Sequence, residues 1–140
     1  MELSTVLYSV DDGIARIVMN RPEKRNALNH ALLDDLDAAF TAAEADDEVG
    51  VVVLSANGAS FSAGYDLGGS YYTKPPAKDG KWTLGNTLTT MRDIEARYQR
   101  IWNCTKPTIA QVHGHALAGG CYLQMLCDIS VAAEDAILGH

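Results

Sequence analysis

Two short runs of small residues hold the groups that chemistry needs. Phe61-Ser62-Ala63-Gly64-Tyr65-Asp66-Leu67-Gly68-Gly69 follows the apolar run Val51-Val52-Val53-Leu54. Val112-His113-Gly114-His115-Ala116-Leu117-Ala118-Gly119-Gly120-Cys121-Tyr122-Leu123 follows Thr108-Ile109-Ala110. Each reads as a strand that opens through small residues into a turn, and the second turn continues into a helix. Turns of this kind point backbone N–H groups outward, where they hold an anion or a developing oxyanion. Two of them in one short chain suggest a single site built from both.

Other chemistries find less in the sequence. Ser60 and Ser62 lie outside any Gly-x-Ser-x-Gly elbow, and no Ser–His–Asp spacing supports a nucleophilic triad. Cys121 opens the helix after the second turn, where a thiolate is favoured, but it reads as a small packing residue. Gly114 to Gly119 lacks the Gly-x-Gly-x-x-Gly order of a dinucleotide site. His113 and His115 make two candidate ligands, too few for a zinc centre, so no metal is expected.

The elements that position these runs follow from periodicity. Leu3–Val10 and Ile14–Met19 are β-rich and flank Asp11-Asp12-Gly13, a hairpin turn in which glycine tolerates positive φ. Residues 20–28, with Pro22, read as loop. Asn29 is the candidate N-cap of a helix over His30–Ala45. Its Leu32, Leu33, Leu36, Ala39, Phe40 and Ala43 form an apolar stripe, and Asp34, Asp35 and Asp37 are expected on a solvated face.

Gly50–Ser55 is continuously apolar, as suits a strand buried on both sides. Ser70–Lys81 reads as a surface loop placed to cover the pocket. A second helix is expected over about Leu84–Asn103, with Leu84, Leu88, Met91, Ile94, Tyr98, Ile101 and Trp102 on one side, closed by Pro107. A strand over Thr108–Val112, a helix over Gly119–Cys127 and short strands over Ile129–Ala133 and Ala136–Leu138 complete the pattern. Alternating strands and helices indicate an α/β class.

The 140 residues suit one domain rather than two. The net charge of −7 argues against general nucleic-acid or anionic-membrane binding, although Arg16, Arg21, Lys24 and Arg25 make a local basic cluster. Three cysteines without Cys-x-x-Cys spacing fit a reducing, cytoplasmic compartment. Neither a basic leader nor a long apolar stretch follows Met1-Glu2-Leu3-Ser4, so export and membrane insertion are not expected.

Three ordered segments resemble the crotonase superfamily of enoyl-CoA hydratase/isomerase proteins, and the resemblance runs end to end. They are Asn20-Arg21-Pro22-Glu23-Lys24-Arg25-Asn26-Ala27-Leu28-Asn29, Phe61 to Leu67 as the Ala-Gly-x-Asp segment, and Lys106-Pro107 with Ala118-Gly119-Gly120-Cys121 and Cys127-Asp128-Ile129. The resemblance implies a ββα spiral and an acyl-CoA thioester substrate. It also implies an oxyanion hole made by the backbone N–H groups of Tyr65 and Gly119. Lys24, Arg25, Ala27, Ala63, Gly64, Asp66, Leu67 and Gly68 would line the coenzyme A site. Coenzyme A would arrive as part of the substrate, so no resident cofactor is implied. For Lys24 and Arg25 the alternative is ordinary solvated surface. The side chains of Asp66 and Asp128 are read as structural.

One position departs from the pattern. The resemblance implies a glutamate three residues after the oxyanion glycine, and Tyr122 stands there. A phenol with a pKa near 10 is a poor base at neutral pH, so Tyr122 is either a hydrogen-bond donor or a pocket-lining aromatic. A two-glutamate hydratase mechanism is therefore doubtful. Isomerase, decarboxylase and thioesterase outcomes stay open, as does a non-catalytic acyl-CoA binder. The chain ends in the apolar Ala136-Ile137-Leu138-Gly139-His140, and it is expected to be the N-terminal half of a larger protein that forms trimers or hexamers.

Overall fold

The computed structural model describes residues 2–68 and 83–140. Gly69 and the expected covering loop Ser70–Lys81 lie outside the described residues. Strands β1 (Val6–Asp11) and β2 (Ile14–Met19) pair antiparallel in a hairpin. Asp12 and Gly13 both have positive φ, 47° and 75°, in the two-residue turn whose twist matches the strands it joins. Then follow helix α1 (His30–Ala45), β3 (Val51–Ala56), α2 (Leu84–Trp102), β4 (Thr108–Val112), β5 (His115–Leu117), α3 (Gly119–Met125), β6 (Ile129–Ala132) and β7 (Ile137–Gly139).

The main sheet has the order β1-β2-β3-β4-β6, with every pair after the hairpin parallel. β5 and β7 form a separate parallel pair. Parallel order sends the loops after β2, β3 and β4 to the same carboxyl edge of the sheet, where α/β proteins build their sites. The first two family segments are the loops after β2 and β3, and Ala118–Cys121 of the third follows β4 and β5, whereas its Lys106-Pro107 and Asp128 lie at the start of β4. The stretch β5 covers was expected as turn. It becomes a strand because the segment after β3 bonds to it: Ser62 N–H donates to His115 O (2.9 Å) and Leu117 N–H to Ser62 O (3.0 Å).

Helix α1 is capped as expected, the Asn29 side chain accepting from Leu32 N–H at 2.9 Å, and its whole apolar stripe is buried against the sheet. Asp35 is not merely solvated. Its Oδ2 accepts from the N–H groups of Ser4 (2.9 Å) and Thr5 (2.7 Å) and from both hydroxyls. That use of Ser4 and Thr5 accounts for β1 starting at Val6 rather than Leu3. Asp34 and Asp37 pair with Arg97 (2.7 Å) and Arg100 (3.2 Å), along the rim of the α1–α2 contact.

The reading of α2 needs the larger correction. Only Tyr98 and Ile101 are buried and Ile94 is half-buried, whereas Leu84 (78%), Met91 (62%) and Trp102 (64%) are exposed. The helix meets α1 through its C-terminal half, where Arg97 and Arg100 sit, so its N-terminal turns have no such partner among the described residues. Helical spacing identifies an apolar face but not what covers it.

Two polar links tie the end of α3 and the start of β4 into this frame. Lys106 Nζ donates to the carbonyls of Ala43 (2.8 Å) and Asp46, neutralising the C-terminus of α1. Asp128 accepts from the N–H and hydroxyl of Thr108, both at 2.8 Å, and its own N–H donates to that hydroxyl. The Thr108 N–H, then its hydroxyl, hold the Asp128 carboxyl below the usual range, against a smaller opposing effect of burial. A depressed folded-state pKa gives stability that is full above the unfolded value, about 4. That stability is lost as pH falls through the folded value. Asp128→Ala is therefore expected to lower Tm at pH 7 by about 2–4 °C, for two solvent-accessible hydrogen bonds lost. The gap to wild type should close on acidification below about pH 4, because wild type then loses the same stabilisation. A gap that widened on acidification in calorimetry would contradict this sign.

Candidate active site

The loop after β2 and the segment after β3 are stitched together by their backbones. Ala63 N–H donates to Arg25 O (2.9 Å), Leu28 N–H to Gly64 O (2.7 Å) and Asp66 N–H to Leu28 O (2.8 Å). Arg21 reinforces the pairing: its guanidinium donates to Ala27 O and meets the Asp66 carboxylate at 3.2 Å. The side chain of Asp66 thus has the structural role expected of it. Lys24 and Arg25 are exposed, on the loop whose Ala27 is half-buried, and Leu67 and Gly68 are exposed just past Asp66.

Asn26 organises this loop from below, whereas the sequence reading has it only as one member of the family segment around Lys24 and Arg25. It is fully buried with φ of 53°. Its Oδ1 accepts from Arg21 N–H (2.8 Å), and its Nδ2 donates to the carbonyls of Asn57 (2.8 Å) and Ser60 (2.9 Å). The fully buried Ser62 donates its hydroxyl to Asn26 O (2.8 Å), which removes it from any nucleophile role.

The segments after β3 and β4 meet at their glycines. Gly64, at φ of 94°, lies so close to β5 that a side chain there would come within 2.8 Å of Leu117 O. One residue on, the Tyr65 ring lies across Gly119, where a Cβ would stand 2.7 Å from Tyr65 Cε1 and 2.7 Å from Leu28 Cδ1. The fold therefore brings Tyr65 and Gly119 together. Gly119 is the first residue of α3, whose ladder begins with Tyr122 N–H donating to Ala118 O at 2.9 Å. The amides of Gly119 to Cys121 come before that first bond, at the positive end of the helix. Ala118 makes the turn with φ of 46°, a backbone strain of the kind that clusters at functional sites.

Tyr122 stands one turn into α3, half-buried, its ring 5.1 Å from that of Tyr98 at 57°. Its hydroxyl donates to Glu95 Oε1 at 3.2 Å. Burial, then the Glu95 charge and its hydrogen bond, then Tyr65 push the phenol above its ordinary value. Tyr122 is therefore a neutral donor at physiological pH, not a base. Neither Glu95 nor Tyr98 stood out in the sequence, because on a helical pattern one reads as surface and the other as core.

The remaining candidates lie apart from this cluster. His113 Nε2 is 2.8 Å from Gly58 O, and His115 is exposed. Among the described residues no three His, Cys, Asp or Glu side chains are placed to hold a metal ion, and no helix is long and apolar enough to cross a membrane. Cys121 is buried against Gln124, and burial pushes the Cys127 thiol up to about 12, so it carries no thiolate at neutral pH.

Comparison with known proteins places the chain in a family. EchA13 of Mycobacterium tuberculosis is 41% identical over 143 residues, covering 92% of this chain and 45% of its own length. The mitochondrial Delta(3,5)-Delta(2,4)-dienoyl-CoA isomerase of Rattus norvegicus is 35% identical over 139 residues, covering 95% and 41%. The crystal structure of a probable enoyl-CoA hydratase from Mycobacterium smegmatis superposes with a TM-score of 0.85 at 40% identity, covering 97% of this chain and 51% of that one. The chain thus spans about half the length of the relatives it matches. The profile of the enoyl-CoA hydratase/isomerase family matches residues 9–140, and the chain belongs to that family, the crotonases.

Proposed function

We propose that this chain carries the acyl-CoA-binding and oxyanion-stabilising part of an enzyme that works on coenzyme A thioesters through an enolate. The thioester oxygen lies between the backbone N–H groups of Tyr65 and Gly119. The coenzyme A portion runs past Lys24, Arg25 and Ala27 and along Ala63, Gly64, Asp66, Leu67 and Gly68. The observation that carries this reading is the contact between the two turns, the Tyr65 ring on Gly119 at the start of α3. Backbone donors aimed at a developing oxyanion contribute about 3–4 kcal/mol each. Because the donor at position 65 is a main-chain group, an aromatic side chain there does not remove it. Exposed Lys24 and Arg25 supply charge for the phosphates.

Among outcomes, isomerisation needs the least that is missing. Hydration requires a base for water as well as an acid for carbon, and Tyr122 is held as a neutral phenol. The same hole would serve a decarboxylase or a thioesterase. A non-catalytic acyl-CoA binder is the rival reading, favoured by the same phenol in place of a glutamate.

Turnover separates the two. The complete gene product, given 3-enoyl-CoA and 2-enoyl-CoA thioesters of several chain lengths, is expected to change the conjugated-thioester absorbance of at least one. Tight binding of every thioester with no spectral change would establish the binder instead.

A further inference from the structure

We propose that Glu95 is the proton-transferring carboxylate of this site, presented from α2 and oriented by the Tyr122 hydroxyl and the Gln99 amide. The inference rests on the acyl-CoA reading above. Its basis is a cluster joining three elements. Gln99 Nε2 donates to Glu95 Oε1 at 2.8 Å, and Tyr122 donates to the same oxygen at 3.2 Å. Tyr122 sits one helical turn from Gly119, so its ring rises on the face that the oxyanion turn opens. Tyr98 backs that ring, and Tyr65, lying on Gly119, is close enough to Tyr122 to disfavour its ionisation.

A bland explanation accounts for only half of this. Gln99 and Glu95 are four residues apart on one helix, an ordinary surface pair contributing about 0.2–0.5 kcal/mol. It does not explain why a half-buried tyrosine from α3, 27 residues along the chain, turns its hydroxyl to the same carboxylate. Glu95 is itself exposed, so a substrate carbon can reach it. Both donors fall on Oε1, and among the described residues Oε2 accepts no hydrogen bond, which leaves that oxygen for the proton.

The step balances without water or redox chemistry. Glu95 Oε2 takes a proton from the carbon α or γ to the thioester carbonyl. From the α-carbon the C–H electron pair becomes the C1=Cα bond of the enolate. From the γ-carbon it becomes Cβ=Cγ while the existing Cα=Cβ pair shifts to C1=Cα. In both cases the carbonyl pair moves onto the oxygen between the two N–H groups. The Glu95 carboxylic acid then returns the proton to the other carbon, and the double bond has shifted. Tyr122 keeps its proton throughout and acts as a positioning residue.

The test is deuterium incorporation at the α-carbon of butyryl-CoA and its longer saturated homologues in D2O, followed by mass spectrometry on the complete gene product. Wild type is expected to exchange. Glu95→Gln is expected to lower the exchange rate by about 10²–10⁴-fold, with acyl-CoA affinity retained. Added formate should restore part of the rate to Glu95→Ala by replacing the lost carboxylate. Tyr122→Phe should lower kcat while leaving KM near wild type, a split that a purely structural role would not give. Wild-type exchange in Glu95→Gln, with exchange still lost on removing the Gly119 donor, overturns this assignment and leaves the oxyanion reading standing. Acyl-CoA binding without exchange in wild type also overturns it. A wild-type protein that binds no acyl-CoA overturns both.

Discussion

Gly119→Pro is expected to turn over acyl-CoA about 10²–10³-fold more slowly than Gly119→Ala. The comparison between the two variants carries the argument, because neither is silent. Alanine at 119 places a Cβ 2.7 Å from both Leu28 Cδ1 and Tyr65 Cε1. The Tyr65 ring, half-buried and at the end of a side chain, must turn aside, so alanine alone should cost some activity. It keeps the N–H. Proline brings the same Cβ and deletes the N–H as well.

Position 119 is the first residue of a helix, where proline costs no ladder hydrogen bond. Its added burden falls on Ala118, which at ψ of −116° lies outside the range favoured before proline. Thermal melting and acyl-CoA affinity of each variant report that burden separately from rate. The order wild type, alanine, proline in kcat with comparable melting supports the donor. Equal rates for alanine and proline would mean that the Gly119 amide does not meet the oxyanion, and the site would have to be rebuilt around other donors.

Local rules carried the sequence reading far where local chemistry decides the structure. The Asp12-Gly13 turn, the Asn29 cap and the buried stripe of α1 depend on neighbours within a few residues, and all three are present in the fold. The unbroken apolar run of β3 placed it rightly inside the sheet, between β2 and β4, but burial on both sides is not met among the described residues: Val52 and Leu54 are buried, whereas Val51 and Val53 on the other face are half-buried. That the two turns share one site was suggested by their common pattern, but the pairing of Tyr65 with Gly119 in particular was reachable only through resemblance.

What stayed hidden depends on partners distant in sequence. Asp35 looks like its neighbours Asp34 and Asp37 until β1 is folded onto it, when it becomes the acceptor for Ser4 and Thr5. The exposed apolar turns of α2 read as core because periodicity reports a face and not its cover. Glu95 has no motif around it. Its significance comes from Tyr122 on another helix, and the substitution that made Tyr122 conspicuous gave no hint of where a carboxylate had gone.

The second large effect is one of stability, at a residue that touches no substrate. Asn26→Ala is expected to destabilise the fold by about 2–3 kcal/mol, the sum for one buried carbonyl (Ser60) and two part-buried groups (Arg21 N–H and Asn57 O) left without their partner. That corresponds to a fall in Tm on the order of 10 °C for a chain of this size. The three orphans are Arg21 N–H and the carbonyls of Asn57 and Ser60, which the amide now joins at 2.8 to 2.9 Å. Aspartate is no remedy: it keeps the acceptor for Arg21 but turns an anionic oxygen toward two carbonyl oxygens in a site with no solvent exposure.

The consequence for binding follows from what Asn26 joins. It ties the loop bearing Lys24 and Arg25 to the residues just before Phe61, the same two segments that pair again through Ala63 and Leu28. Loosening that tie lets the basic loop move relative to the oxyanion turn before the whole sheet melts. Acyl-CoA affinity should therefore weaken at temperatures where circular dichroism still reports a folded protein. An Asn26→Ala variant melting within about 2 °C of wild type, well under the shift expected for 1 kcal/mol, would show that water satisfies those groups as well as the amide does. The loop would then be held chiefly by its backbone pairing and by Arg21.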